Sequence, residues 1–269
     1  MDEGRFSISA PVLYQQLGTA AASRVIDVRR AASFDSDDRM LVAAIRRDPV
    51  DVARWGAQLS TDKPVLVYCA HGQEVSQQTA VALRGIGLDA RYLESGIAGW
   101  AERGLPLRKK VAAGEHGWVT RERPKIDRIA CPWLIRRFID PEAKFLYVPT
   151  ERVFETAEVT GATAYDIPGA EPFSHDGELC SFDLFLRVYG IEDPALDHFA
   201  VIVRGADTSR PELAPQAPGL LALSLGLSAN FANDHEMLEQ GLVMYDAFYA
   251  WCRSCQDEKH NWNPAALKA

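Results

Sequence analysis

The sequence predicts an α/β protein in two parts: a parallel sheet wrapped by helices over residues 1–108, a linker at 109–117, and a mainly helical α+β domain over 118–269. Three observations lead there. A chain of 269 residues suits two domains of about 100–150 residues each. Short β-branched runs alternate with segments of helical period up to residue 107, the pattern of parallel strands crossed over by helices. The polar, unperiodic stretch RKKVAAGEHG at Arg108–Gly117 then interrupts that pattern, and most of the chain beyond it has helical spacing.

In chain order, RVIDV at Arg24–Val28 reads as a buried strand with Asp27 and Arg29 at its end. Arg39–Leu59 has apolar residues at helical spacing and reads as a helix broken near Asp48-Pro49. PVLVYC at Pro64–Cys69 is a second buried strand, and Ser76–Ile86 a helix with Ala80 and Leu83 on one face, closed by Gly87. Ala90–Leu93 is a third strand and Gly96–Arg103 a short helix. Beyond the linker, Asp127–Ile139 opens with a helix-entry signal and Pro132 near its first turn. Lys144–Val148 and Ala164–Ile167 are strand candidates. Ser181–Tyr189 reads as a helix capped by Ser181 and ended at Gly190. Pro218–Asp257 reads as mostly helical with a new start near Asn233-Asp234, where Asp234 is the expected cap.

Composition narrows the class. Apolar residues make up 47% and charged residues 25%, as in ordinary soluble globular proteins. No apolar run reaches the roughly 18 residues that span a bilayer, and MDEGRFSISAPVLYQQL has no apolar core of a signal peptide, so the expected location is the cytoplasm with no membrane partner. Residues 1–110 carry 15 Lys and Arg against 13 Asp and Glu, whereas residues 111–269 carry 14 against 24. The acidic second part argues against nucleic-acid binding and tolerates a bound cation. Five cysteines, an odd number at scattered spacings, suit a reducing compartment better than a disulfide framework.

Cys69 is the first chemical candidate. A cysteine at the carboxyl end of a buried parallel strand, followed by a Gly-containing turn and a helix, meets converging backbone N–H groups and the helix dipole. Such a nest lowers a thiol pKa below the free value of about 8.5 and lets the thiolate take up a sulfane sulfur and pass it on. A plain buried cysteine at a strand end is the alternative. DVR at Asp27–Arg29, VLVYCAHG at Val65–Gly72 and YLESGIAGWAERGLPL at Tyr92–Leu107 resemble the rhodanese family in order and kind over residues 7–107. The resemblance implies a rhodanese-like parallel sheet, a persulfide-carrying role for Cys69, and substrate cradling by Ala70, His71, Gly72, Gln73, Glu74 and Val75. The loop departs from the family pattern. Glu74 stands where the family has arginine and Val75 where it has serine, with Ser76 one position later. A longer loop resembles the phosphatase and arsenate-reductase branch, which accepts larger oxyanions. Glu74 acts the other way, since a carboxylate at the rim repels anions and disfavours thiosulfate against a neutral or cationic sulfur source. His71 either donates to a bound group or is an ordinary exposed loop histidine.

In the second part, TRERPKIDRIACPWLIRRFIDPEAKFLYVP (Thr120–Pro149), FSHDGELCSFD (Phe173–Asp183), DPALDHFAVIVRGADT (Asp193–Thr208) and NDHEMLEQGLVMYDAFYAWC (Asn233–Cys252) resemble the C-terminal domain of the ChrB chromate-resistance family over roughly residues 117–262. That implies a link to chromate resistance or its sensing. The family's usual N-terminal part is a DNA-binding-like regulator region, and a rhodanese-like module in its place argues against a transcriptional role. From the residues themselves, Lys125, Arg128 and Arg136 are candidates for holding an oxyanion by charge-assisted hydrogen bonds, with pairing to this part's own carboxylates as the alternative. His175, Asp207 (ending an apolar, strand-like run), His235 and Glu239 are candidate ligands for a divalent metal, Zn, Mn or Fe. Cys252 and Cys255 form a CxxC followed by His260. Its readings are a redox or metal site, or Cys252 packed beside Trp251 with Cys255 near the surface.

The functional expectation is a sulfurtransferase-like protein. Cys69 handles sulfur from a small donor or thiol, and the second domain binds an oxyanion, a metal, chromate or a chromium–thiol adduct. The rival is a non-enzymatic chromate or metal sensor, and a reductase acting through Cys252 and Cys255 is a third class.

Overall fold

The computed structural model describes residues 6–257. Its first half is built on a five-stranded sheet in the order β1 (Ser7–Ile8), β6 (Ala90–Leu93), β5 (Val65–Tyr68), β2 (Arg24–Asp27), β4 (Ala44–Arg46), and every neighbouring pair is parallel. Parallel strands need crossovers. Helices α1 (Ala10–Gln16), α2 (Ala31–Asp35), α3 (Val52–Gly56) and α4 (Glu74–Gly85) lie in them, and α5 (Gly96–Glu102) follows β6, the last strand of the sheet. The central strand β5 is buried on both faces, as its VLVY sequence requires. Val65 and Val67 pack with Trp55, Ala80 and Leu83 from α3 and α4, while Leu66 and Tyr68 face the opposite side with Leu13, Leu17 and Trp100. Each such side chain contributes roughly 1.5–3 kcal/mol on burial.

The expected helix over 39–59 is not formed. Arg39–Leu41 is a strand, β3, paired antiparallel with β7 (Leu107–Lys109), and Ala44–Arg46 is β4. Met40 to Ala44 are buried without interruption, so the run has no helical period to obey. Ala43 turns the chain at φ 60°, a conformation that ends either kind of element in a non-glycine residue. Only after Asp48, whose side chain accepts from the Val50 N–H, does a short helical segment begin. α4 also starts two residues earlier than the spacing suggests.

The second half holds a three-stranded parallel sheet, β10 (Thr163–Ala164), β8 (Trp118–Arg121), β9 (Phe145–Val148), among helices α6 (Asp127–Leu134), α7 (Val153–Thr160), α8 (Ser181–Tyr189), α9 (Pro194–Asp207), α10 (Ala217–Asn230) and α11 (Asp234–Ala250). The strand expected at 164–167 ends at Ala164, because Asp166 adopts φ 51°. The run ending in Asp207 is helical rather than strand-like: Asp193 caps it by accepting from Ala195 and Leu196, and Pro194 opens its first turn. Two further caps differ from expectation. Cys180, not Ser181, caps α8, in a box closed by the Asp183 carboxylate on the Cys180 N–H. Asn233, not Asp234, caps α11 through the His235 and Glu236 N–H groups.

One large core runs through both halves, from Leu13, Leu17 and Met40 to Phe138, Trp133 and Tyr249. Polar contacts cross with it. Tyr14 and Tyr249 both donate to Asp193 Oδ2, at 2.6 and 3.4 Å, and the Ala43 N–H reaches the Phe138 carbonyl at 2.6 Å. No described helix is long and apolar enough to cross a membrane.

Candidate functional site

Cys69 comes directly after β5, and the chain folds around its sulfur because two glycines let it. Gly72 (φ 68°) and Gly96 (φ 56°) lie where a Cβ would come within 2.5 Å of the Leu93 carbonyl and 2.3 Å of the Cys69 carbonyl, respectively. With no Cβ there, the start of α5 presses onto the loop. The Ile97 and Ala98 N–H groups bond the Cys69 and Ala70 carbonyls at 3.0 Å. Trp100 locks α5 by burying its ring and donating Nε1 to the Pro106 carbonyl at 2.9 Å. The Gly-Ile-x-x-Trp element thus clamps the cysteine loop from outside it.

The carbonyls being taken outward, the loop's N–H groups turn inward. Cys69 Sγ lies 3.2 Å from Ser76 Oγ and 4.0 Å from the Gln73 carbonyl. Burial raises the thiol's pKa. The Ser76 hydroxyl and the backbone N–H groups of Ser76, His71 and Gln73 outweigh burial, so the net shift is below the ordinary thiol value. Ser76 is the third residue of α4, and Gln73 before the helix makes no side-chain cap. The sulfur therefore takes the place of a capping acceptor at a helix N-terminus.

Cys69 is 7% exposed and opens onto a cleft of about 220 Å³ bordered by Arg30, Ala70, His71, Gln73, Glu74 and Val75. His71 and Glu74 are exposed, and the Glu74 carboxylate accepts from Gln78 at 3.0 Å. Arg30, also on the cleft's border, was not singled out from the sequence; its signal is a second arginine directly after Asp-Val-Arg. Arg29 itself is committed elsewhere. Its guanidinium is buried against Asp27 (2.6 Å), which also accepts from Tyr68 at 2.8 Å. This network pins the end of β2 to β5 beneath the cleft.

The basic residues of the second half do not form one anion site. Arg128 lies 3.4 Å from Asp166, Arg136 bonds Glu239 at 2.6 Å and stacks over Phe145, and Lys125 is exposed. Carboxylates of this half engage Arg128 and Arg136 separately, through Asp166 and Glu239.

The metal-ligand expectation divides. His175 Nε2 lies 3.2 Å from Asp207 Oδ2, 3.3 Å from Asp166 Oδ1 and 3.5 Å from Asp127 Oδ2. Asp127, His175 and Asp207 each offer a ligand atom, all within 4.8 Å of one another. His235 and Glu239 stand apart from this cluster: His235 packs edge-on to Tyr147, and Glu239 holds Arg136. The reason is helical rise. Asp127 opens α6 and Arg136 lies nine residues on, roughly 13 Å along the axis, so residues gathered at one end cannot meet those at the other. Asp127 and Asp166 were not singled out as ligands. Their signal is a carboxylate beside apolar residues, Ile126 before Asp127, and Tyr165 and Ile167 around Asp166.

Burial, then the charges of Asp207 and Asp166, holds the Asp127 carboxyl well above its usual range. Burial acts the same way on Asp166, but hydrogen bonds from His175 and Ser181 and the charges of Arg128 and Arg121 hold it below. His175 is pushed up to about 10 by its hydrogen bonds to Asp166 and Asp207. The backbone entering the cluster is strained. Ile126, β-branched, sits at φ 35° with its N–H given to Ser224 Oγ (2.8 Å) and its carbonyl taken by Tyr245 (3.0 Å).

All five cysteines are free. Cys252 is buried, and that burial pushes its thiol up to about 12; Cys255 is half-buried. His260 lies outside the described residues.

Residues 9–103 match the family model of the rhodanese-like domain, and residues 118–252 match that of the ChrB C-terminal domain. The protein ChrB of Cupriavidus metallidurans is 33% identical over 155 residues, which are 57% of this chain and 45% of that protein, so the chain spans less than half of that relative's length. A rhodanese-related protein from Thermoplasma volcanium is 30% identical, covering 38% of this chain and 96% of its own, with a TM-score of 0.34. A rhodanese-like domain protein from Staphylococcus aureus is 20% identical over 35% of this chain and 90% of its own, with a TM-score of 0.32.

Proposed function

The chain belongs to the ChrB C-terminal-domain family and carries a rhodanese-like domain ahead of that region, and on that premise we propose that it is a sulfur-handling protein of chromate resistance whose reactive group is the Cys69 thiolate. The observation that carries this reading is the ring of donors, Ser76 Oγ and the N–H groups of residues 71, 73 and 76, around one partly accessible sulfur. Thiolate is the nucleophile in sulfur exchange. Cys69 attacks the outer sulfur of a persulfide R–S–SH; the S–S bond breaks, R–S⁻ leaves, and Cys69 holds the sulfur as its own persulfide. An acceptor thiolate or cyanide then attacks that outer sulfur and returns Cys69 as thiolate. The donor nest stabilises negative charge on the sulfur at both stages.

The walls of the cleft favour a small donor. Arg30 and Glu74 bring one charge of each sign to its border, which suits the persulfide of a small zwitterionic thiol better than a dianion such as thiosulfate. The test is thiocyanate formation from cyanide with several donors. Wild-type protein should turn over a thiol persulfide faster than thiosulfate, and Cys69→Ser should abolish both rates. Inactivity with every donor sinks the enzymatic reading and leaves the sensor reading, in which Glu74, standing where the family has arginine, marks a domain that no longer transfers sulfur.

A further inference from the structure

Away from Cys69, and independent of its chemistry, we infer that Asp127, His175 and Asp207 form a binding site for one divalent transition cation of the Zn, Mn or Fe class. Three features converge. The first is valence. His175 Nε2 faces three carboxylate oxygens at 3.2, 3.3 and 3.5 Å, yet an imidazole nitrogen carries at most one hydrogen to give. Asp166 has Arg121, Arg128 and the Ser181 hydroxyl besides. Asp127 and Asp207 are the carboxylates that one imidazole leaves underserved.

The second is an orphan. Asp127 is fully buried; its Oδ2 accepts the Ser181 N–H at 2.6 Å, while Oδ1 has no hydrogen-bond partner. A buried carboxylate oxygen without a partner carries an uncompensated desolvation penalty, and a cation bound by the Asp127 carboxylate offsets it. The third is spacing. A tetrahedral cation with bonds of about 2.1 Å keeps its ligand atoms roughly 3.4 Å apart. Nε2 stands 3.5 Å from Asp127 Oδ2 and 3.2 Å from Asp207 Oδ2, close to two edges of such a tetrahedron.

The surroundings orient this donor set. The Ser181 N–H holds Asp127, and the Asp127 N–H reaches Asp207 Oδ1 at 3.4 Å, the outer hydrogen bonds that ligand carboxylates need. One imidazole with two carboxylates suits Zn, Mn or Fe better than the all-oxygen sites of Ca or Mg. Three protein ligands also leave a coordination position free. Solvent reaches the cluster from the His175 side, whose side chain is 42% exposed.

The experiment titrates full-length, chelator-stripped protein with Zn²⁺, Mn²⁺ and Fe²⁺, each alone, by calorimetry (Fe²⁺ without oxygen). Wild type should take up one equivalent of at least one of them. Asp207→Asn and His175→Gln should each weaken that uptake on the order of a hundredfold or more, with unchanged circular dichroism, while Cys255→Ser binds as wild type does. Asp207 is the safer position than Asp127, whose carboxylate also anchors the start of α8. No stoichiometric uptake of any of the three, uptake equal to wild type in both ligand variants, or uptake lost in Cys255→Ser overturns the assignment.

Discussion

Ser76 shows how one hydroxyl sets the reactivity of a neighbour. With the sulfur ionised, the Ser76 hydroxyl donates to Cys69 across 3.2 Å, its alternative acceptor being the Gln73 carbonyl at 3.1 Å. Ser76→Ala removes that donor and leaves the backbone N–H groups, so the Cys69 pKa should rise. A thiol held below its ordinary value loses its thiolate as pH falls through that lowered pKa. The alkylation rate of Cys69 against pH should therefore shift to higher pH in Ser76→Ala, by about one unit for a hydrogen bond of ordinary strength to a charged group. An unshifted profile would show that Ser76 does not set the reactivity of the sulfur. Cys69 was legible in the sequence because strand, glycine turn and helix are consecutive. Asp127 and Asp166 were not, because the cluster at His175 is assembled from segments far apart in the chain, and no spacing rule reaches that far.

At the scale of elements, α5 acts as a clamp on the Cys69 loop. Gly96→Ala places a Cβ 2.3 Å from the Cys69 carbonyl at φ 56°, so the loop or the helix must move. Folded protein with this substitution should lose most of its Cys69 reactivity and be destabilised by about 1–3 kcal/mol in urea unfolding; unchanged alkylation at Cys69 would show that the clamp does not shape the nest. The elements misread from sequence were those whose pattern is silent. Residues 40–44 are buried throughout, and a continuous apolar run suits strand or helix equally. Only partner strands decide, here β2 for β4 and β7 for β3. α10 was read as helical and is helical; what its sequence did not show is which side it buries. It buries Ser224 and Ser228 while Leu223 and Leu225 are exposed, because Ser224 is needed inside to receive the Ile126 N–H.

Across the whole molecule, the two halves differ in charge and family yet share one core. Asp193, the cap of α9, receives Tyr14 from the first half and Tyr249 from the second, and Arg253 donates to the carbonyls of Tyr14, Gln15 and Leu17. Such interlocking should make unfolding cooperative. Urea transitions followed by tryptophan fluorescence and by far-ultraviolet circular dichroism should coincide; two separated transitions would show that the halves unfold independently. The composition break at 109–117 was plain from sequence. The interface was not, since it is made of pairs such as Tyr14 and Asp193 that nothing local connects.

The most direct measurement is the mass of the Cys69 peptide after the full-length protein meets a small-thiol persulfide. That peptide should gain one sulfur atom, which cyanide removes. The peptides of Cys131, Cys180 and Cys252, whose thiols burial keeps protonated, should gain none. A Cys69 that stays unmodified while another cysteine takes up the sulfur contradicts the assignment of the reactive thiolate to this position.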